Sequence, residues 1–194
     1  MASSRLGSVH GSRAMPAVGI HRSASRREAK FALAFFTAVL IVVSLRVRYP
    51  FAIYDEGFTN YNAVRILRGE TPFRDFWSVY PAGQLYTLAL VFKIWGASLL
   101  TSRAYDSLVK LIVVAAIFLV YRRNGSKVGA YAAAGMAALL LGRIAVFSYP
   151  VFPAFGLGLF AVLACNEYLS SGLLRWALAA GLSTGAASLF RWDF

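Results

Sequence analysis

Asp55 and Glu56 stand side by side in a chain that has only eight acidic residues among its 194. An ionised carboxylate can take the proton from an attacking hydroxyl, and an adjacent acid can tune or support it. In helical register Asp55, Thr59, Asn62 and Ile66 recur at i, i+4, i+7 and i+11 on one side, with Phe58, Tyr61 and Arg65 as the neighbouring stripe. A carboxylate, a hydroxyl and an amide beside an aromatic and cationic row suit a substrate that carries a phosphate and a polar head. A plainer reading uses the same residues. Asp55 N-caps a helix from about Glu56 to Arg68, Glu56 sits in the favourable first turn, and Gly69 takes the C′ position. The two are compatible, because a capping carboxylate can also react.

Other candidates lie farther along. Arg143 and Arg191 fall near the ends of apolar runs, where an arginine either snorkels to the interface or binds a phosphate, as Arg65 also can. Arg74 and Asp75 read as a solvated loop pair, and Lys93 as a snorkelling side chain. Both histidines, His10 and His21, precede the first apolar run, and no Cys or His cluster has zinc spacing. The single cysteine, Cys165, reads as a small core residue. Neither a P-loop nor a glycine-rich dinucleotide turn is present, which disfavours an enzyme that uses a cytosolic nucleotide.

The elements that must position these groups are membrane-length helices. The chain is 59% hydrophobic and 14% charged, against about 45–50% and 25% in soluble domains. Its net charge of +12 comes largely from basic residues that flank apolar runs, a topology signal rather than a nucleic-acid surface. Spans are expected at 31–47, 105–121, 128–149, 151–169 and 173–190. The Ser- and Arg-rich residues 1–30 read as a disordered basic tail, cytoplasmic by the positive-inside rule. Residues 31–194 then form one transmembrane domain. Its outer loop, 48–104, holds Asp55 and an interfacial helix at 82–100, because a full crossing there would put the basic loop Arg122–Lys127 on the wrong side. Gly181 and Gly185 have small-xxx-small spacing. The expected fold is all-α: a polytopic, multi-pass helical bundle with a juxtamembrane helix pair in the outer loop. A non-catalytic membrane protein and a small-solute transporter are the rivals to an enzyme. The transporter is disfavoured because the charges are read as clustering at span ends rather than at midplane.

The segment "YDEGFTNYNAVRILRGETPFRDFWSVYPAGQLYTLALVFKIWGASLL" resembles the integral-membrane glycosyltransferases of the GT-C type. The similarity is to the branch with protein O-mannosyltransferases, aminoarabinose transferases and dolichyl-phosphate-mannose-mannosyltransferase-like proteins. It lies in the acidic pair after the first span, the Gly-Glu-x-Pro-aromatic-Arg-Asp turn, and the Tyr-Pro-x-Gly-x-x-Tyr start and Phe-Lys-x-x-Gly end of the next helix. The resemblance implies a polyprenyl- or dolichyl-phosphate-linked sugar as donor and a glycan, lipid or protein hydroxyl as acceptor, on the outer or lumenal side. It implies Asp55 as the catalytic carboxylate and Glu56 as its acidic neighbour; Asn62, Arg65, Arg143 and Arg191 are the candidates among the residues themselves for substrate or phosphate contacts. No cofactor is certain. Some relatives place an acid after a proline for a divalent metal, where this chain has Pro153 and Ala154. A Glu-Lys-Pro-Pro run of some relatives is replaced by "SVYPAG", which weighs against an aminoarabinose-type substrate. Relatives are considerably longer, so the resemblance implies an N-terminal part that is inactive by itself.

Overall fold

The structure, a computed structural model, describes residues 19–45, 47, 53–144 and 148–192. Every regular element among them is helical: α1 (Gly19–Ser44), a π-turn (Ile53–Gly57), α2 (Phe58–Leu67), α3 (Gly83–Trp95), α4 (Leu99–Asn124), α5 (Lys127–Arg143), α6 (Val151–Ser171) and α7 (Leu174–Ser188). The chain divides into two compact units, Met1–Phe35 and Phe36–Phe194. In the first, α1 begins at Gly19, so the tail expected to be disordered through residue 30 is helical over its second part. "SASRREAK" carries several good helix formers and no proline, which lets the helix extend backward from the apolar run. Residues 1–18 lie outside the described residues.

In the second unit α6 packs most extensively on α7, and α4 packs on α5 and α6, while α2 packs on α3. Small residues set these contacts: Ala130, Ala134 and Ala138 on α5, Ala154, Ala161 and Ala164 on α6, and Ala180 and Ala187 on α7 are all buried. Two close approaches require glycine. A Cβ on Gly142 would lie 2.9 Å from the Val42 carbonyl oxygen, and one on Gly83 would collide with that of Leu189. The Gly83 N–H donates to that same Leu189 oxygen at 2.9 Å, which seats the end of α7 on the start of α3. Gly181 and Gly185, by contrast, have open space beside them, so the small-xxx-small pair on α7 makes no close helix contact. Cys165 is exposed, a correction to its expected core position.

Two helices among the described residues, α4 and α6, are long and apolar enough to cross a membrane. α4 is longer than the expected span 105–121 and takes in residues 99–104, because Ser98 caps it by accepting from the Thr101 N–H. The expected helix at 82–100 is accordingly α3 alone: Gly96, at φ 86°, ends it in a conformation that favours glycine. α6 extends two residues past the expected span 151–169, and α1 stops at Ser44 rather than at residue 47. α5, which ends at Arg143, and α7, with 15 residues, are shorter than the expected 128–149 and 173–190.

Candidate functional site

The acidic pair does not start a regular helix. Asp55 and Glu56 lie in the π-turn, and α2 begins after Gly57 with no side-chain cap. The capping reading of Asp55 is therefore corrected. Asp55 contributes its backbone carbonyl, which accepts from Thr59 Oγ1 at 2.9 Å. The wider turn also splits the expected stripe. Asp55 is exposed, whereas Glu56, Thr59 and Asn62 are buried. The other end of α2 forms as expected: with Gly69 at φ 90°, Gly69 N–H donates to Ile66 O and Glu70 N–H to Arg65 O, a Schellman closure.

Glu56 points inward to Arg103 on α4. Arg103 Nε donates to Glu56 Oε1 at 2.7 Å and Nη2 to Oε2 at 2.8 Å. Its Nη1 donates to the Val47 carbonyl at 2.5 Å. This planar fork satisfies a buried carboxylate that would otherwise be costly. One turn farther along the same face, Asp106 and Lys110 form a second buried pair at 2.8 Å. The Lys110 ammonium lies 4.9 Å from the Phe152 ring centroid, on the negative face of an aromatic ring. The charged residues 103, 106 and 110 share one helix face by the i, i+3, i+7 rule, with Ser102 and Ser107 beside them. Ser102 and Ser148 bring their hydroxyls to 3.0 Å, and Gln84 Nε2 donates to the Ser148 carbonyl at 2.9 Å. Hence α3, α4 and the segment before α6 are joined by a buried polar layer. It was invisible to a reading that placed charges only at span ends, and that reading is corrected.

Asp55 is exposed, and its charge acts on a tyrosine from a distant segment. Tyr80 donates from its hydroxyl to that of Tyr149 at 3.1 Å, the rings meeting edge to face. The Arg191 guanidinium lies 5.9 Å from the Tyr80 ring centroid. Burial first, then the bond to Tyr149, pushes Tyr80 up to about 12; the Asp55 carboxylate pushes the same way and Arg191 opposes it. Asp55, Tyr149 and Arg191 thus all act on Tyr80, which centres one rim. Each tyrosine precedes a proline, Pro81 or Pro150, which biases it toward extended backbone at the mouth of α3 or α6. The repeated Tyr-Pro ahead of a helix was the available signal for this pair. For α4 the signal was an Arg-x-x-Asp-x-x-x-Lys spacing inside an otherwise apolar run.

The remaining candidates are dispersed. Arg65 donates from Nε to Glu70 Oε2 at 2.7 Å and from Nη2 to the Asp75 carbonyl at 3.0 Å, and lies 4.5 Å over the Phe76 ring. It fastens the turn after α2. Arg74 and Asp75 pair at 2.8 Å on the surface, as expected, and the Asp75 carboxylate also accepts from the Thr71 N–H. The Arg74 contact first, then that N–H, holds Asp75 below the usual carboxylate range. Arg143 is exposed in the last turn of α5. Asn62 Nδ2 and Gln84 Oε1 are buried with no hydrogen-bond partner among the described residues. Ala154, which follows Pro153, is fully buried against Ala187 and Phe190. Among the described residues no three His, Cys, Asp or Glu side chains come close enough to hold a metal ion.

No family model, curated protein or solved structure matches the chain.

Proposed function

We propose that the protein is a multi-pass membrane glycosyltransferase of the polyprenyl-phosphate-dependent kind, with Asp55 as its general base. The observation that carries this reading is the division of labour in the acidic pair. Glu56 is buried and neutralised by Arg103, while Asp55 stays exposed beside two phenols and Arg191. In the reaction Asp55 takes the proton of the acceptor hydroxyl as its oxygen bonds to the anomeric carbon. The bond from that carbon to the lipid phosphate breaks, and its electron pair leaves on the phosphate oxygen. Arg191 suits the phosphate as a cation, and the neutral Tyr80–Tyr149 pair supplies hydroxyls for the sugar. Glu56 is a positioning residue in this scheme. The basic N-terminal side is cytoplasmic and the Asp55 rim faces outward.

The test is transfer from a labelled polyprenyl-phosphate sugar by membranes that contain the protein. Asp55→Asn lowers turnover about 10²–10⁴-fold, the usual loss of a general base. An Asp55→Asn protein with unchanged melting temperature and unchanged turnover would sink the assignment.

A second reading, a solute transporter, is favoured by one observation: Asp106 and Lys110 form a buried ion pair within a membrane-length helix. Intramembrane charge pairs commonly line transport paths. Proton flux in proteoliposomes that disappears in Asp106→Asn, with no glycosyl transfer by the parent protein, would select it.

A further inference from the structure

At the far end of α4 from Arg103, the loops α4–α5 and α6–α7 meet. Nineteen residues of helix separate Arg103 from Arg122, about 28 Å of rise. Arg122, Arg123, Lys127 and Arg175 gather in this region, and Arg123 pairs with Glu167 across the α4–α6 contact. Between the helices lies a cavity of about 350 Å³. Its rim carries Arg122, Arg123 and Glu167, and its walls toward the helix centres carry Leu119, Phe160 and Leu163. Trp176 closes one side, with the Arg175 guanidinium 5.7 Å from its ring centroid.

We infer that this cavity binds the headgroup phosphate of an anionic membrane lipid, with an acyl chain along the α4–α6 trough. Three features commit it to a lipid rather than to free phosphate. The cavity is flanked by the two helices long and apolar enough to cross a membrane. Leu119 and Phe160 on its wall are about half exposed, at 51% and 46%, so the trough opens toward the surface that a bilayer would cover. The cationic groups sit only at the rim, where guanidinium forks match phosphate oxygens and a tryptophan lies at headgroup depth. Basic pockets between spanning helices are a recurrent form of anionic-lipid recognition. α7 adds to the field, because its first turn starts at Leu173 with no side-chain cap and its N–H groups face this end. Glu167 opposes the ligand, since it neutralises Arg123 and adds a negative charge to the rim.

The test uses the purified full chain in mild detergent. Phosphatidylglycerol, phosphatidylcholine and inorganic phosphate are added separately, and retained lipid and the melting temperature are measured. Phosphatidylglycerol is retained and raises the melting temperature; phosphatidylcholine and inorganic phosphate do not. Arg122→Gln with Arg175→Gln weakens phosphatidylglycerol binding about 25-fold, roughly fivefold for each basic side chain at an anionic surface. Arg68→Gln, an exposed arginine at the end of α2, leaves it unchanged. Glu167→Gln strengthens it. An equal response to inorganic phosphate, an unchanged response in the double variant, or an equal drop in Arg68→Gln overturns the proposal. If the double variant does not fold, Glu167→Gln decides: no gain in phosphatidylglycerol retention overturns it.

Discussion

Among the described residues α4 and α6 are the two helices both long and apolar enough to cross a membrane, and they bury opposite kinds of residue. The buried face of α4 begins Ser102, Arg103, Asp106, Ser107, Lys110 before turning to Val113, Val114 and Ala116. That of α6 is Phe152, Ala154, Ala161 and Ala164. α6 therefore packs by close approach of small side chains, which dispersion favours and size alone limits. α4 packs over part of its length by matched charge, where each charged group depends on an oppositely charged partner. Average hydropathy scores both as spanning helices, because one charged pair and Arg103 in a long apolar sequence barely move a mean. The difference shows only in which residues face inward. Apolar helices tolerate many sequences of similar volume, whereas a buried ion pair specifies one register.

The largest effect should come from breaking one member of that match. Lys110→Met leaves Asp106 buried without its partner and should cost about 3–5 kcal/mol of stability, read by denaturation in detergent. The double change Asp106→Asn with Lys110→Met should recover most of it, since the pair is removed as a unit. A single variant as stable as the parent would show that α4 does not depend on pairing. The α6 side of the comparison is tested by Ala154→Leu, which forces a larger side chain against Ala187 and Phe190. Overpacking there should cost about 1–3 kcal/mol, with no partner change able to relieve it except a smaller residue opposite.

A smaller effect is expected at the rim. Tyr80 is raised, so its favourable contribution is complete below the ordinary phenol value near 10 and is lost as pH climbs toward about 12. Ultraviolet titration should show Tyr80 among the late tyrosines, and Tyr149→Phe should move its contribution earlier by removing the bonded hydroxyl. An unchanged titration in Tyr149→Phe would mean that burial alone holds Tyr80. The smallest effect lies outside both helices. Phe73 has φ 64°, a left-handed conformation that costs an aromatic residue about 1–2 kcal/mol. Its side chain is 55% exposed, so little packing offsets that cost. Phe73→Gly should raise the melting temperature slightly, and a fall would show that the ring has a contact worth more than the strain.

Much of this chain was legible before any fold was known. Long apolar runs interrupted by basic loops required helices, because backbone polar groups must be satisfied within each segment when water is excluded. Gly69 marked the end of α2 through a conformation that only glycine adopts cheaply, whereas the expected helix 82–100 ran past Gly96, where α3 in fact stops. The prominence of Asp55 and Glu56, and the surface pair at Arg74 and Asp75, also stood in the residues themselves. Tertiary packing alone decided the rest. Adjacent acids look equivalent in one dimension, and only the π-turn sent Glu56 inward to Arg103 and left Asp55 outside. Local periodicity cannot report the partner of a buried charge; only the fold turns Asp106 and Lys110 inward and brings Phe152 of α6 over Lys110. Tyr80, Tyr149 and Arg191 are far apart along the chain. They share a rim because Gly83 is small enough to let the end of α7 rest on the start of α3.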